Sequence, residues 1–336
     1  MSKVVYHADL NEAQRQPDLA ALGCAPFDRL DWFALLAGEC LSGRTPALAV
    51  ARDGDRLAAL PLLAGGEREL AGIANWYSFF VRPLGDPSLL PDIARDLAAR
   101  ADRLTLSPLP EADANLLAEA FGRSGWIALV EPCDNNHYLE LGGRNFDEYW
   151  ASRPGRLRET VRRKGKKGMV GLKITTSFDA DDWAAYEHVY GLSWKPEEGS
   201  PAFLRRFAMA EAAAGRLRMG VAEIEGVPVA AQLWSVENDV AYIHKLAHDE
   251  GARQHSPGTL LSHALFRHVI DVDKVREIDF GTGNDPYKRD WMESVRQRWR
   301  LDAWRMAAPR QWPSLGKALA RRMLRPRPLV SAEAHG

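Results

Sequence analysis

The residues best suited to chemistry in this chain cluster between positions 242 and 291. In the stretch ARQHSPGTLLSHALFRHVI, residues 252–270, the triplet Ser256-Pro257-Gly258 opens an amphipathic run, with Arg253 just before it. Ser256 is a good N-cap and Pro257 a good first helical residue. Gly258 has no side chain, so the backbone there can come close to a ligand. A helix N-terminus offers unpaired N–H groups and about half a positive charge, which suits phosphate or pyrophosphate. Arg253 adds a full charge, and Thr259 shares the first turn. A capped helix without a ligand is the alternative reading of the same residues.

Just upstream, DVAYIHKLAHD reads as a strand. Alternation places Tyr242, His244, Leu246 and His248 on one face and Lys245, Ala247 and Asp249 on the other. His244 is the first candidate base, because an imidazole of ordinary pKa, about 6.5, exchanges protons near neutrality. Asp249 is the second, with an ion pair to Lys245 or Lys288 as its competing use. His244 and His248 lack a convincing third ligand, so no metal site is expected. The Asp279-Phe280-Gly281 triplet is not kinase chemistry, since no glycine-rich strand loop, strand lysine or catalytic-loop motif precedes it.

These residues need a scaffold. PALAVARDGDRLAALPLLA (46–64) and LRMGVAEIEGVPVAAQLWSV (217–236) both read as hairpins, turning at Gly54 and Gly226. Amphipathic helix patterns fill 87–100, 111–123, 179–192, 201–214 and 259–270. DPSLLPDIARDLAA aligns with SPGTLLSHALFRHV, and DRLTLSPL with REIDFGTG. Each half thus runs hairpin, strand, loop, helix, strand, which favours two copies of one α/β unit. The expected division is a first lobe over 1–145, a basic connecting helix over 146–170, a second lobe over 171–308, and a basic helix and tail over 309–336.

Bulk composition excludes several classes. The 336 residues are 46% hydrophobic and 26% charged, which suits folded domains rather than disorder. A net charge of -1 provides no global field for DNA. The three cysteines, Cys24, Cys40 and Cys133, match no zinc or disulfide spacing, so a reducing cytoplasm is the expected compartment. No apolar start resembles a signal peptide, and no run is long enough to span a bilayer. Charge is instead local. RPGRLRETVRRKGKKG (153–168) sets eight basic residues against Glu159, as a solvated face or as a wall beside a phosphate-bearing ligand. In the tail, Trp312, Leu315, Leu319 and Met323 form one stripe, flanked by Lys317, Arg321, Arg322, Arg325 and Arg327. That pattern suits an anionic membrane face, with docking on the body as the alternative.

The segment HKLAHDEGARQHSPGTLL…IDFGTGNDPYKRDW resembles the GNAT N-acyltransferases, in particular the BioF-like or cellulose-biosynthesis-type branch related to FemAB. Lys245, Asp249, Ser256, Pro257, Gly258, Asp279, Phe280, Gly281, Gly283, Tyr287, Lys288 and Trp291 stand where that branch has its motif residues. His248 replaces a usual tyrosine. The resemblance covers 150–306 and is weaker before. It implies an α/β (α+β) fold of two tandem GNAT-like lobes, each a mixed twisted sheet flanked by helices, with splayed central strands in the second. Acyl-CoA is then a cosubstrate rather than a permanent cofactor, an acyl carrier protein could present the same arm, and FemAB relatives use aminoacyl-tRNA. Arg253, Ser256, Pro257, Gly258, Thr259, Asn284 and Lys288 are implied around the donor, and Tyr287 as the acid for the leaving thiolate. Trp194 and Lys195 are implied as an acceptor-side lid, with Lys245 in the same pocket. Trp76, Tyr77 and Phe80 would form the opposing wall, core packing being their other use. The expected reaction is acyl transfer to an amine on a sugar, a sphingoid-type lipid or an amino-acid derivative. A non-catalytic CoA-binding or polysaccharide-biosynthesis scaffold is the contrasting possibility.

Overall fold

The computed structural model describes residues 2–324. Arg325 and Arg327 of the expected basic tail lie outside the described residues.

The strands are β1 (Lys3–His7), β2 (Pro46–Asp53), β3 (Arg56–Ala64), β4 (Glu69–Gly72), β5 (Leu84–Gly85), β6 (Arg103–Leu109), β7 (Trp126–Glu140), β8 (Gly171–Thr175), β9 (Leu217–Ile224), β10 (Val227–Glu237), β11 (Val240–His248), β12 (Glu277–Thr282) and β13 (Ser294–Arg305). Both expected hairpins form. Gly54 takes φ +59, and Glu225 and Gly226 take φ +52 and +78, the left-handed pair that a two-residue turn needs.

Among the described residues all strands join one sheet, ordered β1-β2-β3-β4-β6-β13-β7-β12-β11-β10-β9-β8, with β5 paired to β3. Each lobe lends its last strand to the other. β7, which follows β6 in the chain, pairs with β12 of the second lobe, while β13, at the end of the second lobe, pairs with β6 of the first. β7 and β13 then pair with each other along their length. The divisions expected at 145 and 308 therefore follow the chain, whereas the packing units exchange a strand across the seam.

Helices cover both faces. On one face of the second lobe, the helix Pro257–Asp271 buries Leu261, Leu265 and Phe266 against Trp234 and Ile243. On the other, Phe203 and Phe207 of helix Pro201–Ala213 pack edge-on against Trp32 of the first lobe, with ring centroids 5.1 Å apart in each case. Arg29 of the first lobe bonds Glu211 at 2.5 Å and Glu237 at 2.6 Å. Aromatic burial and charge pairing thus fix the two lobes together.

The expected single helix over 146–170 is two helices, Phe146–Ala151 and Gly155–Gly165. Pro154 breaks the run, because the residue before a proline is pushed out of the helical region. Its basic residues also have more partners than Glu159. Arg153 is buried and bonds Glu293, and Arg156 meets Asp290 at 2.6 Å. The terminal helix Trp312–Leu324 buries none of its residues; Trp312 is 57% and Met323 80% exposed.

Candidate functional site

The site begins where β11 and β12 part. Their parallel ladder holds at Val240–Glu277, Ala241–Ile278 and Tyr242–Asp279, then stops. Two irregularities accompany the divergence. On β11, Ile243 faces Trp234 and Lys245 faces Leu233, so His244 is an extra, bulged residue. On β12, pairing with β7 shifts between Asp279 and Thr282. Gly281 sits there at φ +69, and a Cβ on it would meet the Phe79 ring at 2.8 Å, so only glycine fits. Asp279 anchors the strand. It is fully buried and accepts from Asn136 at 2.6 Å, from the Gly281 amide at 2.8 Å and from Arg296 at 2.7 Å.

Below the gap lies a cavity of about 740 Å³, lined by Leu246, His248, Phe280, Tyr287 and Trp291, and by Arg253 and Ser256–Thr259 at its floor. Ser256 occupies the N-cap at φ 55, ψ 44, and its side chain makes no cap hydrogen bond. The first helical amide bond is Leu260 N–H to Ser256 O, at 3.1 Å. Among the described residues the amides of Gly258 and Thr259 therefore remain unpaired at the cavity floor. The expectation that Ser256 caps with its hydroxyl is corrected: its left-handed backbone carries the side chain away from the first turn. A Cβ on Gly258 would find only ordinary contacts near 3.5 Å with His248, so bare backbone is held close to the cavity without strain.

Gln232, unremarked in the sequence, holds this mouth in place. Its amide donates to Gly258 O at 3.1 Å and to Ser262 Oγ at 2.8 Å, while its carbonyl accepts from the Trp234 indole. A single buried glutamine within the apolar run VAAQLWSV was the available signal. The basic helix runs alongside: Lys164 donates to the Gln254 carbonyl, and Leu157 lines the cavity. Of the three carboxylates that line the cavity, Asp290 is engaged by Arg156 and Glu250 by His248 at 3.2 Å and Arg253 at 3.8 Å, while Asp285 makes no ion pair among the described residues.

Beside the cavity, and outside its lining apart from Trp194 and His248, a second cluster is built from both lobes. Tyr77 of the first lobe donates its hydroxyl to Glu198 and accepts from the Ser200 amide at 2.9 Å. Lys245 bonds Glu198 at 2.8 Å and lies over the Tyr77 ring. Trp76 leans on Tyr77 and covers Gly199, where any Cβ would collide with its ring. Trp194 leans on His248 at the cavity edge, the ring centroids 4.7 Å apart and the planes tilted by 48°. Beside it, Lys195 makes no ion pair among the described residues. Burial, followed by repulsion from Lys245, brings its ammonium down to about 8.

His244 does not emerge as a proton acceptor. Its ring lies among Phe27, Phe79 and Phe207, and its Nε2 is 2.8 Å from Ser235 Oγ. The residue keeps a partly exposed surface, but protein packs the ring densely enough that burial depresses its pKa to about 3. The imidazole is neutral and too weakly basic to match an amine. Asp249 does not line the cavity; it caps the following turn through the Gly251 amide at 2.8 Å and pairs with neither Lys245 nor Lys288. Lys288 is buried and donates to Thr282 O at 2.5 Å. Asn284 meets His137 at 3.2 Å rather than a cavity-lining group. Both therefore shape the end of β12 from behind. Tyr287 does line the cavity. Burial, helped by Asp285, pushes its phenol up to about 12, so it stays protonated.

A helix mouth with bare amides at the foot of two parted parallel strands can hold a phosphate and admit an extended arm. Residues 151–289 match the family model described as an acetyltransferase (GNAT) domain. They form a GNAT acyltransferase domain. No curated protein matches the chain. Among solved structures, FemX aligns with a TM-score of 0.63 at 11% identity, over 89% of this chain and 96% of that one. L-PGS from Bacillus licheniformis aligns at 0.53 and 12%, over 94% and 95%. A tandem GNAT protein from the clavulanic acid biosynthesis pathway aligns at 0.51 and 16%, over 89% and 98%. At these identities the likeness is one of fold, and it extends the tandem-GNAT architecture to both lobes. The matched residues thus give the chain an N-acyltransferase domain.

Proposed function

We propose that this transferase takes its acyl group from acyl-CoA, or from the same pantetheine arm on a carrier protein, and delivers it to an amine. The observation that carries this reading is the uncapped helix mouth opening into the gap between β11 and β12. The amides of Gly258 and Thr259 would hold the pyrophosphate, supported by Arg253 and by Lys164 of the neighbouring helix. The arm would rise along the free edge of β11 beyond Tyr242, replacing ladder partners that β12 no longer supplies.

In the reaction the amine attacks the thioester carbonyl, a C–N bond forms and the C–S bond breaks. Tyr287 would donate a hydrogen bond, and finally the proton, to the leaving sulfur. Full transfer is favoured only because a thiolate leaving into the same desolvated cavity is itself made more basic. Lys195, rather than His244, would take the proton from the amine, since a conjugate acid near 8 matches the task at neutral pH. Trp76, Tyr77, Lys245 and Trp194 would frame the acceptor. The exposed Trp312, Leu319 and Met323 beside Lys317, Arg321 and Arg322 support a lipid-borne amine met at an anionic membrane face.

Thermal unfolding with candidate donors tests the reading. A donor at 100 times its Kd stabilises by about 2.7 kcal/mol. Acetyl-CoA and longer acyl-CoA thioesters are expected to raise the midpoint. Stabilisation by charged tRNA and none by CoA thioesters would transfer the donor role to aminoacyl-tRNA, the reading that the FemX-like fold favours.

A further inference from the structure

A second cavity, of about 700 Å³, lies on the seam between the lobes and plays no part in the donor site. The first lobe contributes Arg82 and Glu111. The second contributes Tyr242, Arg276, Glu277 and Asp279, and the exchanged strand β13 contributes Arg296 and Arg298. Four guanidinium groups thus face three carboxylates, and the pairing among them is uneven.

Arg296 takes both Glu277 and Asp279, each at 2.7 Å. Arg82 is turned toward Asp113 at 3.2 Å and Asp28 at 3.7 Å. Glu111 opens the helix Glu111–Gly122, where the helix dipole favours its charge. Two cations are left over. Arg276 is exposed and makes no side-chain ion pair among the described residues. Arg298 is the reverse case: its side chain is only 4% exposed, and it stands 3.7 Å from an Asp279 already held by Arg296, Asn136 and Gly281. One Arg298 amine donates to Asn136 at 3.0 Å, but its Nε has no hydrogen-bond partner. Burial outweighs Asp279 and brings this guanidinium down to about 10, the mark of a cation short of counter-charge. The Tyr242 hydroxyl lines the same cavity and makes no hydrogen bond among the described residues.

A buried, half-satisfied guanidinium is costly unless something completes its shell. Arg276 and Arg298 provide donors only, and the Tyr242 hydroxyl is free to donate, in a space large enough for a small organic molecule. We infer that this seam cavity binds an anionic group, a phosphate ester or a carboxylate, through Arg276, Arg298 and the Tyr242 hydroxyl. Tyr242 is also the last β11 residue paired to β12, so the anion sits at the closed end of the strand gap whose open end faces the donor cavity. The anion is either the charged end of the amine acceptor or a free ion that sets the seam.

The test uses inorganic phosphate as probe, by calorimetry on full-length protein saturated with CoA so that the helix mouth is filled. Should CoA not bind, the Gly258→Trp variant supplies the same blocked background, so failure of the donor reading stays separate from failure of this one. Phosphate is expected to bind the unaltered protein, and to bind Arg276→Gln and Tyr242→Phe at least about 10-fold more weakly. Both variants leave the buried Arg298–Asn136 contact intact, so folding is not at stake. Binding that neither variant weakens, or no binding below about 10 mM, overturns the inference. Acetyl transfer to O-phosphoethanolamine and to ethanolamine distinguishes the sources. A preference for the phosphorylated amine that Arg276→Gln removes assigns the cavity to the acceptor. Phosphate binding without such a preference assigns it to a free anion.

Discussion

The two lobes share one plan, and only one of them keeps it open. In the first, β4 and β6 pair in parallel at Glu69–Arg103, Leu70–Leu104 and Ala71–Thr105, then part after three pairs, as β11 and β12 do. There the gap is filled from within. The chain returns through it, the Val81 amide bonds Pro108 O at 2.7 Å, and Val81 is buried with Leu104 and Leu106. The helix mouth is closed as well. Asp86 caps it with its own carboxylate, 2.9 Å from the Ser88 amide, and the first turn tightens into a 3-10 helix over Pro87–Leu89. A carboxylate at that point also repels phosphate. Topology creates the gap in both lobes; the side chains and the returning loop decide which one a ligand can enter. The same loop that plugs the first lobe carries Trp76, Tyr77 and Phe79 into contact with the second, at Gly199, Glu198 and Gly281.

Filling the open mouth should erase this difference. Gly258→Trp places an indole over the bare amides and is expected to weaken acyl-CoA binding at least about 100-fold in calorimetry, about 2.7 kcal/mol or more. Retention of binding would show that the donor lies elsewhere.

Next in size are the proton-handling groups, which have no counterpart in the closed lobe. With Lys195 as base, kcat/KM rises with pH and levels above about 8, because only the neutral amine accepts a proton. Lys195→Met should lower the plateau about 10- to 100-fold and remove that midpoint. A profile unchanged in shape would return the base role to solvent. Tyr287→Phe should reduce kcat by about 10-fold with little change in donor KM, as expected of an interaction made only in the transition state.

The smallest effect contrasts the caps themselves. Asp86→Ala should lower the thermal midpoint by about 2 °C, whereas Ser256→Ala should leave it unmoved, since Ser256 makes no cap bond. Hydrogen bonding to Ser88 holds the Asp86 carboxyl below the usual range. Its contribution is therefore present above the unfolded pKa and lost as pH falls through the folded one. Equal losses in both variants would mean that the two mouths are alike after all.

Much of this was legible in the sequence because it is local. Hairpin turns at Gly54 and Gly226, the helices, and the Ser-Pro-Gly mouth each follow from residues within a turn or two of one another. The pairing of lobes was visible for the same reason, as two copies of one local order. The roles of individual ionisable groups were not. His244 has an ordinary histidine's chemistry until Phe27, Phe79 and Phe207 enclose it from three distant segments. Asp249 read as a base or a lysine's partner until the turn after β11 folded back onto it, and Gln232 looked like one polar residue in a strand.

By itself the sequence determined the secondary elements, the glycines that let backbone approach a ligand, and the charge carried by each segment, since these depend on near neighbours and on side-chain chemistry. The tertiary structure alone decided that β7 and β13 change places, that one gap is plugged and the other open, and that Lys195 and Arg298 lose solvent without gaining a full counter-charge. Those outcomes depend on burial and on contacts between segments far apart in the chain, and the cost of desolvating a charge is set by what surrounds it rather than by the residue that bears it.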